Sequence, residues 1–116
     1  MEGELVGEDN YSRSAKAYDR LVTSYRRLTR VAQDMDSHVA FYVKNRIVGW
    51  GTLALSAIDN YITICGDEPQ KEVTPEIVEG KLNELCERAG VKMSEIEEKA
   101  RKIMPTLTLN KLRNLN

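Results

Sequence analysis

Cysteine is scarce in this sequence: the two present, Cys65 and Cys86, lack the close spacing of a zinc knuckle or a redox pair, which excludes a disulfide framework. Both are expected to be buried free thiols. There is a single histidine, His38, with no nucleophile motif around it. It forms an i, i+4 pair with Asp34, but two ligands do not close a structural zinc site, so no catalytic residue, metal or cofactor is expected. Long apolar runs are also missing, and none approaches the roughly 20 residues that span a bilayer. The first nine residues, Met-Glu-Gly-Glu-Leu-Val-Gly-Glu-Asp, hold acids where a secretory signal holds a basic region and then an apolar one. These absences lead to the expectation of a cytoplasmic, non-enzymatic protein with no membrane contact.

What is present suffices for one core. A chain of 116 residues with 41% hydrophobic and 30% charged residues is the size of one domain and has enough apolar surface to offset ordering of the chain. Residues 1–10 carry Glu2, Glu4, Glu8 and Asp9 without a basic partner and read as a flexible acidic tail, leaving 11–116 as a single helical domain.

Helical spacing then dominates. Tyr18, Leu21, Tyr25, Leu28, Ala32 and Met35 recur at threes and fours, predicting a first helix over about 12–35 with Ser12 or Ser14 as its cap. Residues 38–64 contain strand-preferring stretches, and Lys44-Asn45 suits a hairpin turn, so the phase of the pattern must decide. Val43, Ile47, Trp50, Ala54, Ala57, Tyr61 and Ile64 alternate at four and three, opposite a small or polar stripe through Asn45, Gly49, Thr52, Ser56, Asp59 and Thr63. This favours a second helix over about 37–64, begun by Asp36 or Ser37 and stopped near Gly66. Gly49 and Gly51 each cost it roughly 1 kcal/mol relative to alanine, which suggests close packing or a kink.

After a polar linker, Thr74-Pro75-Glu76 combines a cap, a proline suited to the first helical position and an acid at the positive end of the dipole. The third helix should bury Ile77, Val78, Leu82, Leu85 and Cys86 and end at Gly90. A fourth starts at Ser94 with Glu97 completing a capping box, buries Ile96, Ala100, Ile103 and Met104, and stops at Pro105. Leu107, Leu109, Leu112 and Leu115 suggest a short terminal helix. The expected fold is all-α, a long antiparallel helical hairpin packed with two or three shorter C-terminal helices.

One segment points elsewhere. Asn45-Arg46-Ile47-Val48-Gly49-Trp50-Gly51-Thr52-Leu53 resembles the central strand of acyl-CoA-dependent N-acetyltransferases. The resemblance implies a strand here and an acyl-CoA-binding Arg/Gln-x-x-Gly-x-Gly/Ala loop after the next strand. Nothing after Cys65 matches that loop, and the helical phase opposes the strand.

The functional signal is electrostatic. Arg13, Lys16, Arg20, Arg27 and Arg30 fall on one face of the first helix, expected to lie opposite the core, with Arg26 beside them. The row covers 17 residue steps, about 25 Å at 1.5 Å per residue. Residues 11–46 hold eight basic and three acidic side chains, a net of +5 inside a chain whose total is −1. A line of guanidinium groups suits a phosphate backbone, because each forms charge-assisted and often bidentate bonds to phosphate oxygens. Lys44 and Arg46 could extend it, and Tyr11 and Tyr42, if exposed, would add base stacking. The sequence therefore leads to the expectation of an accessory subunit that holds RNA or single-stranded DNA without reading its sequence. A near-neutral total charge favours action among protein subunits of a larger assembly, with repeated copies adding weak contacts. The small helical subunits of CRISPR effector complexes offer an architectural analogy for this arrangement. The competing expectation is a protein-contact or oligomerisation role, in which the heptad-like series from Tyr18 to Met35 forms an intermolecular seam, or in which the basic row meets an acidic protein surface.

Overall fold

The computed structural model describes residues 2–38, 41–66 and 71–103, with side chains described from Ser12 onward. It contains four helices, α1 (Glu2–Asp36), α2 (Val43–Cys65), α3 (Pro75–Ala89) and α4 (Met93–Ile103), and no strand among the described residues. The segment resembling an acetyltransferase strand lies within α2.

The position of α2 follows from its composition. Its only charged residues are Lys44, Arg46 and Asp59, so the stretch between Arg46 and Asp59 has no strongly hydrated face and packs against neighbours on several sides. It contacts α1, α3 and α4, and α1 also touches α3. Cys65 Sγ lies 3.7 Å from the Ser14 carbonyl oxygen, while Arg46 pairs with Asp34, so α2 runs antiparallel to α1. The Tyr18 hydroxyl accepts from the Val73 amide, just before α3, and Arg88 near the end of α3 pairs with Asp36, so α3 returns parallel to α1.

Burial in α2 is wider than one stripe. Ile47, Ala54, Ala57 and Tyr61 are buried as the spacing requires, but Gly51, Thr52, Leu55 and Ile58 are buried too. Thr52, expected outward, donates its hydroxyl to the Val48 carbonyl at 2.7 Å, which satisfies the group inside the core. A Cβ built on Gly51 would lie 2.9 Å from Leu82 Cδ1 and 3.1 Å from Ile96 Cδ1, so α3 and α4 approach α2 closely at this glycine. Gly49 has nothing within 4 Å of the same position.

Several boundaries differ from the sequence expectations. The backbone of α1 is helical from Glu2, which corrects the expected start near Ser12. Glu2 and Glu4 occupy its first turn, where negative charge favours helix, and no proline interrupts the segment. In α1 the fully buried positions are Ala17, Leu21, Leu28 and Val31, with Ser24 only 5% exposed, while Tyr18, Tyr25 and Met35 pack at the margin. The core line is thus rotated toward the small residues, because they let α2 approach closely.

The second helix starts at Val43 rather than Ser37, which lies in a turn after α1. His38 and Tyr42 take left-handed backbone conformations (φ 58° and 51°), and Asp36 ends α1 instead of capping α2. Thr74 caps α3 as expected, its hydroxyl accepting from the Ile77 amide at 3.2 Å, and Gly90 closes the helix with φ 71°. Two residues leave the expected core: Ile77 is 42% and Ile103 61% exposed. Met93, one residue before Ser94, is the first residue of α4. Met104, Pro105 and the leucines from 107 to 115 lie outside the described residues.

Two predictions follow from the packing. Gly51→Leu is expected to lower stability by about 1–3 kcal/mol through overpacking, whereas Gly49→Ala should raise it by about 0.5–1 kcal/mol through helix propensity. Urea denaturation measures both, and an equal response at the two glycines would refute the packing distinction. Cys65 and Cys86 are free and buried, and burial pushes the Cys86 thiol above its ordinary pKa. Thiol labelling at mildly alkaline pH should therefore be slow in the native protein and complete on denaturation. Rapid native labelling of both would contradict this burial.

Candidate functional site

Helical spacing brings the basic residues of α1 onto one side of the molecule. Arg13, Lys16, Arg20, Arg26, Arg27 and Arg30 are all exposed. The row does not face away from the core, because the buried line runs through Ala17, Ser24 and Val31 rather than through Tyr18 and Tyr25. At 3.6 residues per turn, that places the row roughly a quarter turn from the core. It therefore borders α2.

The junction is a shallow groove with two adjoining lobes. One, of about 460 Å³, is lined by Asp19, Arg20, Thr23 and Arg27 of α1 and by Leu53, Ser56 and Asn60 of α2. The other, of about 490 Å³, is lined by Arg27, Arg30, Asn45, Gly49, Trp50 and Leu53, with Arg46 at its edge. Arg27 and Leu53 are common to both lobes. Its walls carry guanidinium groups and, in the first lobe, the Asp19 carboxylate, while Trp50, half-buried, and Leu53, 47% exposed, give the second lobe an apolar surface.

The arginines differ in their freedom. The Arg27 guanidinium carbon lies 4.5 Å from the centre of the Trp50 ring, a cation–π contact that holds this side chain across the groove. Arg46 donates to Asp34 at 2.8 Å, and the exposed Arg30 reaches the other Asp34 oxygen at 3.5 Å. The hydrogen bond from Arg46 holds the Asp34 carboxyl below the usual carboxylate pKa; partial burial opposes it, and the charges of Arg46 and Arg30 reinforce it. Among the described residues, Arg13, Lys16, Arg20 and Arg26 have no ion-pair partner.

Two sequence candidates are placed differently from the row. Lys44 is exposed on another side of α2, beside Met35, His38, Val43 and Ala89, and does not extend the row. Arg46 lies at the groove but is committed to Asp34. Tyr42 is 80% exposed at the hairpin tip and Phe41 next to it 72%; Tyr11 lies outside the described side chains. Trp50, Leu53 and Gly49 were not identified as groove residues from sequence. The signal for Leu53 is a large apolar residue out of phase with the buried stripe, and for Gly49 an interior helical glycine.

His38 is exposed beyond the end of α1, and Asp34 pairs with Arg46 and Arg30. No group of three or more His, Cys, Asp or Glu able to hold a metal occurs among the described residues. No helix among them is long and apolar enough to cross a membrane.

The Asp34 contacts have a pH signature. A carboxylate whose pKa is lowered on folding contributes stability above its unfolded value of 3.8 and loses it as pH falls through the lower folded value. Thermal unfolding should therefore show a steeper acid loss below about pH 4 in the wild type than in Asp34→Asn; superimposable acid limbs would show that the pairing does not stabilise the fold. No family model, curated protein or solved structure matches this chain.

Proposed function

We propose that this chain is a non-enzymatic helical subunit whose α1 arginine row lies along the phosphate backbone of RNA or single-stranded DNA. The observation that carries this reading is the exposed row itself, in which Arg13, Lys16, Arg20 and Arg26 form no ion pair among the described residues, Asp19 being the one acid beside them at the groove. Unpaired guanidinium groups keep their full capacity for charge-assisted bonds to phosphate, whereas Arg46 has spent its own on Asp34. The contacts carry no base information, so the binding is sequence-tolerant. A chain with net charge −1 gains affinity when several copies or partner subunits align their rows, which supports a role inside a larger nucleoprotein assembly.

A protein-contact role is the second reading, favoured by the adjacent exposed Phe41 and Tyr42 at the hairpin tip. The seam from Tyr18 to Met35 is taken up within the chain, since Leu21 and Leu28 are buried and Tyr18, Tyr25 and Met35 pack against the core.

Fluorescence anisotropy of labelled single strands tests the proposal. Log affinity should fall against log salt with a slope of roughly −2 to −4, as three to five phosphate contacts imply. The double variant Arg20→Glu/Arg27→Glu, with its helicity checked by circular dichroism, should bind at least about tenfold more weakly and with a shallower slope. Unchanged binding by that folded variant would remove the row as the site, and if Phe41→Ser/Tyr42→Ser instead abolished assembly with a partner protein, the second reading would replace it.

A further inference from the structure

The two glycines of α2 break the same local rule, and only one has a reason inside the fold. Gly51 admits Leu82 and Ile96 at distances a side chain would not allow. Gly49 lines the lobe beside Trp50, and nothing lies within 4 Å of its Cβ direction. A helical glycine costs roughly 1 kcal/mol relative to alanine; Gly80 of α3 is equally open, so it is the place of Gly49 on a lobe beside Trp50, and not its openness alone, that bears on binding. The space at Gly49 lies next to an arginine whose guanidinium already sits over the ring of the only tryptophan of the chain, 4.5 Å from its centre.

We propose that the lobe over Gly49 receives one unpaired nucleobase, stacked on the Arg27–Trp50 pair, which makes the ligand of the α1 row single-stranded rather than duplex. The proposal rests on the nucleic-acid reading of that row. Guanidinium planes and aromatic rings are the two surfaces on which proteins stack splayed bases. Here Trp50 holds Arg27 in place before any ligand arrives, so little side-chain freedom remains to be lost on stacking. The lobe volume of about 490 Å³ falls within the range of small-molecule sites. Leu53 adds an apolar edge, and the Asn45 amide at the lobe offers both a donor and an acceptor to a base. Arg30, on the α1 side, and Arg20, one lobe away, supply positive charge for the phosphates that flank such a base. A duplex presents its phosphates to α1 but keeps its bases paired and out of the groove.

Trp50 provides a direct readout, being the sole indole. The probes are a uridine oligonucleotide, an abasic strand of equal length and a duplex of equal phosphate number, each followed by anisotropy and by Trp50 fluorescence. The wild-type protein should bind the uridine strand about tenfold more tightly than the abasic strand, with quenching of Trp50 by the former alone. Gly49→Leu fills the lobe with a better helix former, so it should fold at least as stably; it should lose that tenfold preference while keeping its affinity for the abasic strand. Equal binding of uridine and abasic strands by the wild type, duplex binding as tight as single-strand binding, or an undiminished preference in Gly49→Leu would overturn the base lobe and leave the arginine row standing. Absence of binding to all three probes at low salt would overturn the row and the lobe together.

Discussion

The structure depends on α2 being apolar around most of its circumference. A helix with no charged residue between Arg46 and Asp59 has no face that water holds at the surface, so the other three helices find their partner in it. Close approach then sets the detail. Where α3 and α4 press inward, a side chain at position 51 would crowd the ends of Leu82 and Ile96, and where α1 lies alongside, the buried line runs through Ala17 and Ser24 rather than through the larger tyrosines.

That packing decides how the charge of α1 is displayed. Because α2 approaches along the small residues, the arginine row borders the seam between the two helices and acquires an apolar floor from Trp50 and Leu53. A row on the far side of α1 would meet only solvent and could hold a backbone by charge alone. A row at a groove can hold a backbone and also shelter a flat group beside it. The same geometry withdraws Arg46, since Asp34 faces it across the hairpin, and leaves the remaining cations unevenly available.

The hairpin tip carries the conformational strain of the fold. Residues His38 and Tyr42 occupy left-handed conformations that L-residues adopt at a cost of about 1–2 kcal/mol each. The antiparallel pairing of two long helices offsets that cost, and it leaves Phe41 and Tyr42 exposed at the end of the molecule. Groove and tip are therefore separate features, one built by side-chain packing and the other by chain reversal.

Much of this architecture is legible in the sequence, because helix periodicity and caps are local. The phase of Val43, Ile47, Trp50 and Ala54 identified α2 as helix despite its strand-preferring residues, and Thr74-Pro75 marked the start of α3, where the Thr74 hydroxyl does accept from Ile77. The presence of a basic face on α1 was equally readable, since spacing alone aligns Arg13, Lys16, Arg20, Arg27 and Arg30. What the sequence could not contain is which side of each helix meets which neighbour. Hydropathy drew the core line of α1 through tyrosines, whereas packing placed it through alanine and serine, and that rotation turned an outward stripe into the wall of a groove. Gly49 and Gly51 look alike in the sequence. Only the tertiary structure separates them, because the difference lies in atoms of α3 and α4 that are near one and far from the other.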